Sequence, residues 1–444
     1  MKKSRLVIIS LTCTVLAAVP LAYAVGAYNG GVSRNDLLLI GGVIQLVEHK
    51  YVHPIDAKSL TTDALKGMLG RLDPHSSYMT EEEYKESDAD IRGQFGGLGI
   101  QITEEHGVPK IISPIDGTPA ARAGLQPGDL IVEIDGKTSQ GLNLNEIVRV
   151  LRGKPGTSVK LTIARGAKTP FDVTITRSII QVPTVKSKLE PNNVGYIRVS
   201  AFDGDTPANV RKSLEAMKQK AGGKLNGVVL DLRNDPGGLL KAAVTIAGDF
   251  LKGGTVVTTK GRSRGDNSTY DADASQNILP KTPMVVLING ASASASEIVA
   301  GALQDRHRAT IMGTQSFGKG SVQTIIPLDG HGALRLTTAL YYTPAGRSIQ
   351  GRGITPDIVV KAPKDEQVAG ALLPRESTLR GSFHNPGALN KKSGKNNASQ
   401  PVAAQTPPSP PIKTQLIGTE HDGQLKAALA YLANKIDNKT TEKD

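Results

Sequence analysis

The strongest constraint on the fold comes from two apolar runs that each lead into a turn and then a helical pattern. Residues 227–232 and 283–288 are nearly continuous apolar stretches. Such runs indicate strands that are buried on both faces, as in a parallel sheet. From Gly195 onward, strand and helix patterns alternate, which predicts an α/β core. Open α/β sheets place their sites at the carboxyl ends of strands, so the turns after these runs are candidate sites.

The turn after residues 283–288 contains three serines, Ser292, Ser294 and Ser296. A helix start offers free backbone N–H groups and the positive end of the helix dipole, and both favour an oxyanion. A serine in this turn could therefore be a nucleophile, or it could simply cap the helix. Local chemistry does not choose among the three serines, and a serine nucleophile needs a base.

A lysine between two glycines is the candidate base. Lys319 stands between Gly318 and Gly320, which would let the backbone bring it into a pocket. A lysine accepts a proton only when its amine is neutral, and burial lowers its pKa because it disfavours the charged form. A Ser/Lys pair is a known variant of the Ser-His-Asp arrangement for acyl transfer. His307 or His331 could complete a Ser/His dyad instead, although a surface or core position is the simpler interpretation of each.

A second turn with adjacent glycines follows the apolar run 227–232. Its sequence is Asp235-Pro236-Gly237-Gly238, and a helical pattern begins after it. Two adjacent glycines allow the backbone to approach a ligand closely. Taken alone, the motif could also be a simple turn.

Together these motifs resemble those of the carboxy-terminal processing proteases, the tail-specific serine peptidases. The resemblance is carried by the serine turn 289–297, the lysine motif 313–323 and the glycine turn. In that family the nucleophile precedes the lysine by the separation found between Ser294 and Lys319, so the resemblance selects Ser294. It also implies that Lys319 is the general base and that Gln323 orients the lysine.

The resemblance also gives the glycine turn a role. The family's Asn-Pro-Gly-Gly turn supplies oxyanion-hole N–H groups, so Gly237 or Gly238, together with Ala295, would donate to the oxyanion. Which of the two glycines donates is left open. Asp235 stands where the family has Asn, and Glu297 matches the serine motif without an assigned role.

Residues 93–178 form a separate unit. Glycines open an alternating strand at 96–102, and residues 119–131 give a short helix, a turn and another strand. A helix is predicted over 143–151 and a strand over 159–163. This pattern, with its Ala-Gly-Leu-x-Pro-Gly-Asp run, resembles a PDZ domain, which captures the C-terminus of a peptide by strand addition.

The PDZ resemblance implies a peptide groove beside the predicted helix 143–151. Backbone N–H groups would hold the terminal carboxylate, and two isoleucines would flank the groove. The carboxylate residues are Gly97, Leu98 and Gly99, and the groove residues are Ile100 and Ile102. Taken alone, the glycines could form only a hairpin turn. Arg152, at the end of the groove helix, could link peptide capture to the active site, but a solvated arginine is the simpler interpretation.

Charge and cysteine content disfavour several function classes. The 444-residue chain carries a net charge of +12, but no dense basic patch interleaved with aromatic residues occurs, so a nucleic-acid partner is not expected. The single cysteine, Cys13, excludes a disulfide within the chain, and no Cys/His spacing typical of a metal site is present. We therefore expect neither a metal nor a cofactor.

The N-terminus predicts export. Basic residues at 2–5 precede an apolar stretch over 6–24, and residues 22–24 (Ala-Tyr-Ala) resemble a signal-peptide cleavage site. If residues 1–27 are retained, they contain an apolar segment just long enough to span a membrane. The expected location is the periplasm, either free or anchored in the inner membrane. Removal of the signal would leave a cysteine-free chain, which suits an oxidising compartment.

The remaining boundaries follow from pattern and composition. An N-terminal helical region is expected over 30–92, with His75 in a turn outside the catalytic centre. The serine protease core is expected over 179–364, where the resemblance implies a crotonase-like layered sheet. Residues 365–413 include a stretch rich in Asn, Ser, Ala, Pro and Lys, which predicts a flexible low-complexity linker. Residues 414–444 predict a C-terminal helix that packs on the body or on another subunit.

The leading hypothesis is an exported serine endopeptidase of α/β fold with an inserted PDZ domain. It would bind proteins by their C-termini and cleave near them through an acyl-enzyme. The rival from another class is a non-catalytic PDZ scaffold, which would have no need of Ser294, Lys319 and Gln323 together. A β-lactam-type Ser/Lys enzyme is disfavoured because no Ser-x-x-Lys run occurs at the serine. An adaptor and assembly into a homo-oligomer are left open.

Overall fold

The computed structural model of the chain describes residues 31–91, 94–105, 107–115, 117–142, 144–166, 168–368, 374–386 and 412–441. The predicted export signal, residues 1–27, lies outside the described residues, as does much of the predicted linker. Asn143, the first residue of the predicted groove helix, also lies outside them. Within the described ranges, no helix is long and apolar enough to cross a membrane.

The described residues form α-helices and β-strands that are numbered in chain order. The helices are α1 (Arg34–Lys50), α2 (Ala57–Gly70), α3 (Glu81–Ile91), α4 (Pro119–Arg122), α5 (Leu144–Leu151), α6 (Thr206–Lys220), α7 (Leu240–Gly248), α8 (Ala295–Asp305) and α9 (Gly423–Thr441). The first ten strands are β1 (Ser77–Met79), β2 (Gln94–Gly97), β3 (Ile100–Glu105), β4 (Val108–Pro114), β5 (Leu130–Ile134), β6 (Lys137–Thr138), β7 (Ser158–Ala164), β8 (Phe171–Thr176), β9 (Ser178–Gln181) and β10 (Val185–Glu190). The remaining strands are β11 (Val194–Val199), β12 (Gly227–Asp231), β13 (Gly254–Gly261), β14 (Ser268–Ala272), β15 (Met284–Ile288), β16 (Thr310–Gly313), β17 (Ser321–Pro327), β18 (Ala333–Tyr342) and β19 (Ile358–Val359).

The chain divides into two compact units, with the boundary between Gly67 and Met68. The first unit contains α1 and most of α2. A capping box opens α1, in which Ser33 N–H donates to the Asp36 carboxylate at 3.0 Å and Asp36 N–H donates to Ser33 Oγ at 3.1 Å. The second unit contains the sheets described below.

A six-stranded sheet forms the centre of the second unit, in the order β10-β11-β12-β15-β16-β19. All neighbouring strands are parallel except β10 and β11, which are antiparallel. The two apolar runs of the sequence form most of β12 and β15, and every residue of both strands is buried. The α/β class predicted from the sequence is confirmed, and its cause is visible in the burial of these strands on both faces.

Apolar side chains pack on both faces of the central sheet because successive residues of a strand point to opposite sides. Val228 and Leu230 of β12 join a core cluster that includes residues of α6, α7 and α8. Val229, between them, joins a second cluster with Leu425 and Leu432 of α9. The C-terminal helix therefore packs on the body of this chain.

A second, antiparallel sheet has the order β1-β18-β13-β14, and β17 also pairs with β18. The first strand of this sheet comes from the N-terminal region that the sequence predicts to be helical. Residue Ser77 of β1 pairs with Arg335 of β18. Tyr78 is buried and its hydroxyl donates to the His331 carbonyl at 2.6 Å. This burial explains why residues 77–79 form a strand of the protease core instead of continuing the helices.

The PDZ-like region forms its own antiparallel sheet in the order β3-β4-β5-β7-β8, with β6 paired to β5. A separate apolar cluster fills it, including Ile131, Leu161 and Ile147 of α5. The strands β2 and β9 pair with each other at the two ends of this region. In this sheet β3 is an edge strand, so one of its two sides is not covered by another described strand.

The predicted linker over 365–413 is partly ordered, which differs from the prediction. Residues 374–386 pack against the protease core, and Glu376 within them is fully buried. At the far end, Ile412 is buried and pairs with Gln367. The composition that indicated a linker begins at residue 385, whereas the buried polar side chains of 374–386 find hydrogen-bond partners that composition does not reveal.

Candidate active site

The three serines of the turn between β15 and α8 have different environments. Ser292 is buried and its hydroxyl donates to the Leu232 carbonyl at 2.7 Å. Ser296 is also buried and its hydroxyl donates to the Asp235 carbonyl at 3.0 Å. Ser294 is only partly buried. Both buried hydroxyls fix the turn against the neighbouring strand, which leaves Ser294 as the serine that a substrate can reach.

The backbone at Ser294 has an unusual conformation, with φ 55° and ψ −113°. Residues other than glycine rarely adopt positive φ, and such strain concentrates at functional sites. A sharp strand-to-helix turn of this kind presents a nucleophile in other hydrolases. Ser294 stands at the N-cap of α8, and its N–H donates to Glu297 Oε2 at 2.9 Å.

The glycine turn lies directly against the serine turn. A side chain on Gly237 would come within 2.9 Å of Ser294 Cβ and 2.8 Å of the Ala295 nitrogen, so only glycine fits there. Ala293 N–H also donates to the Asp235 carbonyl at 3.0 Å. The structure therefore brings together the two turns that the sequence singled out.

The N–H groups of these turns differ in availability. Gly237 N–H donates to Asp235 Oδ1 at 2.8 Å, so the side chain of the same turn already occupies it. Within the part of the chain that the structure describes, the N–H groups of Gly238 and Ala295 make no hydrogen bond. Burial raises the pKa of Asp235 to about 8, and its second oxygen has no partner among the described residues.

One buried carboxylate, that of Glu297, holds both the serine turn and the lysine loop. Its Oε2 accepts from the N–H groups of Ser294 and Lys319, each at 2.9 Å. Its Oε1 accepts from Gly318 N–H at 2.7 Å and from Ser316 Oγ at 2.5 Å. Burial raises the pKa of Glu297 to about 7, against the effect of these donors. The sequence matched Glu297 to the family motif but gave it no role.

Lys319 has an environment that weakens its hold on a proton. Burial lowers the pKa of its amine, and the positive charge of Arg335 acts in the same direction. The negative charges of Glu376, Glu297 and Asp73 oppose this shift. Among the described residues, the Lys319 amine makes no hydrogen bond and no salt bridge, and this includes Ser294 Oγ.

Gln323 lies on β17, which follows the lysine loop. Its amide nitrogen donates to Thr337 Oγ1 at 2.8 Å and to Ser321 Oγ at 3.3 Å. Thr337 Oγ1 in turn donates to Asp73 Oδ1 at 3.1 Å. These contacts fix the orientation of the Gln323 amide, but no hydrogen bond joins it to Lys319 in the described structure.

His75 contacts two carboxylates whose charges act on Lys319. It sits in a turn, as predicted, where its N–H donates to Asp73 Oδ1 at 2.8 Å. Its ring nitrogen Nε2 contacts Glu376 Oε2 at 2.8 Å, and both Glu376 and Asp73 act electrostatically on Lys319. That this turn lies outside the catalytic centre stays a prediction for His75, while Asp73 in the same turn is among the charges that act on Lys319. Sequence reasoning missed Glu376 entirely, because it lies in the segment predicted to be a linker.

The two histidines considered as alternative bases lie outside the serine turn and the lysine loop. His307 follows the C-terminal end of α8, whereas Ser294 precedes its start. Thirteen residues separate the two, which at the rise of an α-helix is about 20 Å. His331 is exposed in the turn between β17 and β18.

The predicted PDZ groove is bordered by the edge strand β3. Ile100 and Ile102 on this strand are half-buried and pack on the PDZ core cluster, while Leu98 is fully buried. Gly99 has φ +79°, and a side chain there would come within 2.3 Å of Thr118. The segment that would hold a peptide carboxylate is therefore tightly fixed by its neighbours.

The remaining predicted groove residues have less distinctive surroundings. Gly97 ends β2, where it pairs with Ser178 of β9. Arg152 follows α5 and is half-buried, and its N–H donates to the Val148 carbonyl at 2.9 Å. The predicted link from Arg152 to the active site stays a prediction.

Comparison with known proteins identifies three regions. The model of peptidase family S41 matches residues 193–360, and a PDZ domain model matches residues 110–165. The model of the activating protease CtpB N-terminal domain matches residues 27–83.

Two relatives match over most of the length of this chain. A carboxy-terminal-processing protease of Bartonella bacilliformis is 48% identical over 377 residues, which cover 84% of this chain and 86% of that protein. The carboxy-terminal processing protease CtpA of Bacillus subtilis is 36% identical over 71% of this chain and 67% of that protein. Among solved structures, a photosystem II D1 C-terminal processing protease is 29% identical, with a TM-score of 0.45, over 74% of this chain and 94% of that chain.

The resemblance predicted from the sequence motifs is thus confirmed by relatives that cover most of the chain. The 48% identity to the Bartonella bacilliformis protein extends well beyond the three motifs. With an S41 peptidase region and a PDZ domain in one polypeptide, this chain belongs to the carboxy-terminal processing proteases of peptidase family S41.

Proposed function

We propose that the enzyme cleaves proteins near their C-termini by acyl transfer to Ser294, with Lys319 as the general base. The observation that carries the proposal is the pair of hydrogen bonds on Glu297 Oε2, which accepts from the backbone of Ser294 and of Lys319 at 2.9 Å each. One buried atom therefore fixes the two loops relative to each other. The lowered pKa of the Lys319 amine makes a neutral base accessible.

In the first half-reaction, Ser294 Oγ attacks the scissile carbonyl carbon while Lys319 Nζ takes the hydroxyl proton. The C–N bond then breaks, and Lys319 returns the proton to the leaving amine. In the second half-reaction, Lys319 takes a proton from water, and the water oxygen attacks the acyl carbon. The bond between the acyl carbon and Ser294 Oγ then breaks, Lys319 returns the proton to Oγ, and the new carboxyl end leaves. Because the described structure has no hydrogen bond between Ser294 Oγ and Lys319 Nζ, this mechanism requires the two side chains to come within hydrogen-bond distance when substrate binds.

The oxyanion would be held by the N–H groups of Gly238 and Ala295. Both are without a hydrogen bond among the described residues, and Ala295 adds the positive end of the α8 dipole. Gly237, the other candidate, has its N–H occupied by Asp235 at 2.8 Å. Its role would instead be to let the two turns approach each other.

Gln323 would orient the lysine through its carbonyl oxygen. Thr337 Oγ1 and Ser321 Oγ accept from its amide nitrogen, so the amide cannot rotate freely. Among the described residues the Gln323 oxygen accepts no hydrogen bond, so it could accept one from the Lys319 ammonium.

The PDZ domain would bind the C-terminal end of the substrate by strand addition on β3. In this proposal the N–H groups of Gly97, Leu98 and Gly99 receive the terminal carboxylate, and Ile100 and Ile102 favour apolar substrate ends. The half-buried positions of the two isoleucines on an edge strand support this assignment.

We also propose that the enzyme works in the periplasm, on the basis of the signal-like sequence over 1–27. Cleavage of the signal and retention as an inner-membrane anchor both agree with that sequence. The predicted adaptor and homo-oligomer remain predictions.

The proposal is tested by incubating purified protein with an unfolded substrate that ends in apolar residues. Ser294→Ala and Lys319→Ala are each expected to lower cleavage by about 10³-fold or more. The matched controls Ser268→Ala and Lys241→Ala change exposed residues of the same types and should cleave like the wild type. Equal cleavage by the wild type and all four variants would contradict the Ser294/Lys319 dyad. Peptide binding without cleavage by any of the five proteins would favour a non-catalytic PDZ scaffold.

A further inference from the structure

The chain segment 374–386, which we call the strap, lies on the lysine loop. Glu376 N–H donates to the Phe317 carbonyl at 3.3 Å, two residues before Lys319. At the far end of the strap, the Asn385 side chain donates to the carbonyl of Gln350 at 2.8 Å. The strap is therefore attached to both backbone segments that surround the candidate base.

The carboxylate of Glu376 is the buried centre of the strap. It is fully inaccessible to solvent and accepts from Gln350 Nε2 at 2.9 Å and from Ser382 Oγ at 3.0 Å. His75 Nε2 contacts its other oxygen at 2.8 Å. Burial acts to raise the pKa of Glu376, but these three partners outweigh it and lower the pKa, so the group is an anion at neutral pH.

A single amide connects Glu376 to the backbone beside Lys319. Gln350 donates to Glu376 through Nε2, and its Oε1 accepts from Gly320 N–H at 3.0 Å. A side chain on Gly320 would come within 2.2 Å of the backbone nitrogen of Gln350, so the backbone at Gly320 and the backbone at Gln350 are in close contact. A change at Glu376 is therefore transmitted directly to the residue after the lysine.

The opposite side of Glu376 leads to Gln323. His75 contacts Glu376 through its ring and Asp73 through its N–H at 2.8 Å. Thr337 Oγ1 donates to Asp73 and accepts from Gln323 Nε2. Together with the Gln350 amide, these groups form a chain of hydrogen bonds that starts one residue after Lys319 and ends at its predicted orienting residue.

We propose that Glu376 is a positioning residue for Lys319, which it holds in place through the hydrogen bonds of Gln350. This inference rests on the proposed function of Lys319 as general base. The strap is thereby part of the peptidase machinery and not a spacer between the core and α9. It supplies the lysine pocket with a charge that comes from outside the sequence motifs of the nucleophile and the base.

The charges that face Lys319 decide the direction of the expected effect. Burial and Arg335 lower the pKa of the amine, whereas Glu376, Glu297 and Asp73 raise it. Among the charged neighbours, Glu376 makes the largest contribution. Without its charge the pKa of Lys319 falls further, so the neutral base persists to lower pH.

The test measures the pH profile of kcat/KM for wild type, Glu376→Gln and Glu376→Asp on one peptide substrate. For Glu376→Gln we expect the acid limb of the profile to move to lower pH by about one unit, since an opposite charge nearby shifts a pKa by about that much. Glu376→Asp keeps the negative charge on a side chain that is shorter by one methylene group. Its acid limb should therefore lie between the limbs of the wild type and Glu376→Gln. Glu366→Gln is the matched control, because Glu366 is also buried but contacts Gly423 N–H at the start of α9.

Thermal melting of each variant separates folding from catalysis. If both Glu376 variants lose activity and stability while their acid limbs coincide with the wild type, the role is structural and the proposal is overturned. If Glu376→Gln does not fold, Glu376→Asp alone is compared with the wild type. An acid limb at lower pH supports the proposal, and an acid limb that coincides with that of the wild type overturns it. A wild type that does not cleave, or whose cleavage survives Ser294→Ala, would instead overturn the proposed function.

Discussion

At the scale of single residues, Glu297 sets the geometry of the site. Its two carboxylate oxygens accept four hydrogen bonds, two from the N–H groups of the proposed nucleophile and base. The side chain itself is too deeply buried to contact substrate. Its effect on catalysis must therefore pass through the positions of Ser294 and Lys319.

Replacing the Glu297 carboxylate by an amide should misplace these two residues. In the wild type each carboxylate oxygen of Glu297 accepts two hydrogen bonds. In Glu297→Gln, an NH₂ group would replace one of these oxygens, and it would repel the two donors that the oxygen had bound. We expect kcat to fall by about 10²-fold with a smaller change in KM, as measured by steady-state kinetics. Glu215→Gln, an exposed glutamate on α6, is the control and should leave both constants unchanged. Unaltered kcat in Glu297→Gln would show that the loops hold their positions without it.

Asp235 gives a second residue-scale prediction, concerning stability. Burial raises its pKa to about 8, whereas an unfolded aspartate has a pKa of about 4. Unfolding therefore releases a proton between these values, and the folded state loses stability as pH rises through this window. Asp235→Asn removes this titrating group. The melting temperature of the variant minus that of the wild type should therefore increase as the pH rises from 5 to 8. At about 2–4 °C for each kcal/mol, melting curves can detect the gain. A constant difference across this pH range would contradict the assignment.

At the scale of secondary-structure elements, α9 is held to the central sheet by a buried ion pair as well as by apolar packing. The Arg233 guanidinium is fully buried and pairs with Asp231 at the end of β12 and with Asp422 just before α9. Asp422 also accepts from Leu425 N–H at 3.0 Å, in the first turn of the helix. The strand that leads to the glycine turn is thus tied to the C-terminal helix.

Breaking this pair should loosen α9 selectively. Asp422→Asn leaves the buried Arg233 with one carboxylate instead of two, and we expect a local loss of about 3 kcal/mol. Hydrogen exchange of α9 amides should become about 10²-fold faster, while the strands of the PDZ sheet keep their protection. Glu420→Gln, an exposed neighbour, provides the control. Equal loss of protection in both regions would mean that α9 does not unfold separately.

The PDZ groove offers a prediction with a matched pair of glycines. Gly99→Ala would place a methyl group about 2.3 Å from Thr118, in the segment proposed to hold the substrate carboxylate. Gly107→Ala has a similar positive φ, but nothing lies within 4 Å of the added carbon. We expect Gly99→Ala to weaken binding of a peptide with a free C-terminus by about tenfold or more, measured by titration calorimetry, and Gly107→Ala to bind nearly normally. Equal binding by both variants would place the groove elsewhere.

At the scale of the whole molecule, sequence patterns were sufficient for the class of the fold and for the two turns that meet at Ser294. The continuous apolar runs at 227–232 and 283–288 indicate buried strands, because a strand of a parallel sheet is covered on both faces and therefore has apolar side chains on both. The resemblance to the protease family selected Ser294, and the burial of Ser292 and Ser296 gives a physical reason for that choice.

The lysine pocket could not be predicted in the same way. Two of its charges come from Asp73 and Glu376, which are far from Lys319 in the sequence and act on it only in the folded chain. Glu376 in particular lies in the segment predicted to be a linker, ahead of the low-complexity stretch that begins at residue 385. Local patterns report how one segment folds, but the partners of a buried polar side chain are set by tertiary contacts.

The central claim is that an acyl-enzyme forms on Ser294, and mass spectrometry of the quenched enzyme tests it directly. The reaction uses an activated peptide ester, for which acylation outpaces hydrolysis, and is stopped by acid during the initial burst. We predict one acyl group on the proteolytic fragment that contains Ser294, and no acyl group in Ser294→Ala. An acyl group on another residue, or a burst of equal size in Ser294→Ala, would contradict the account.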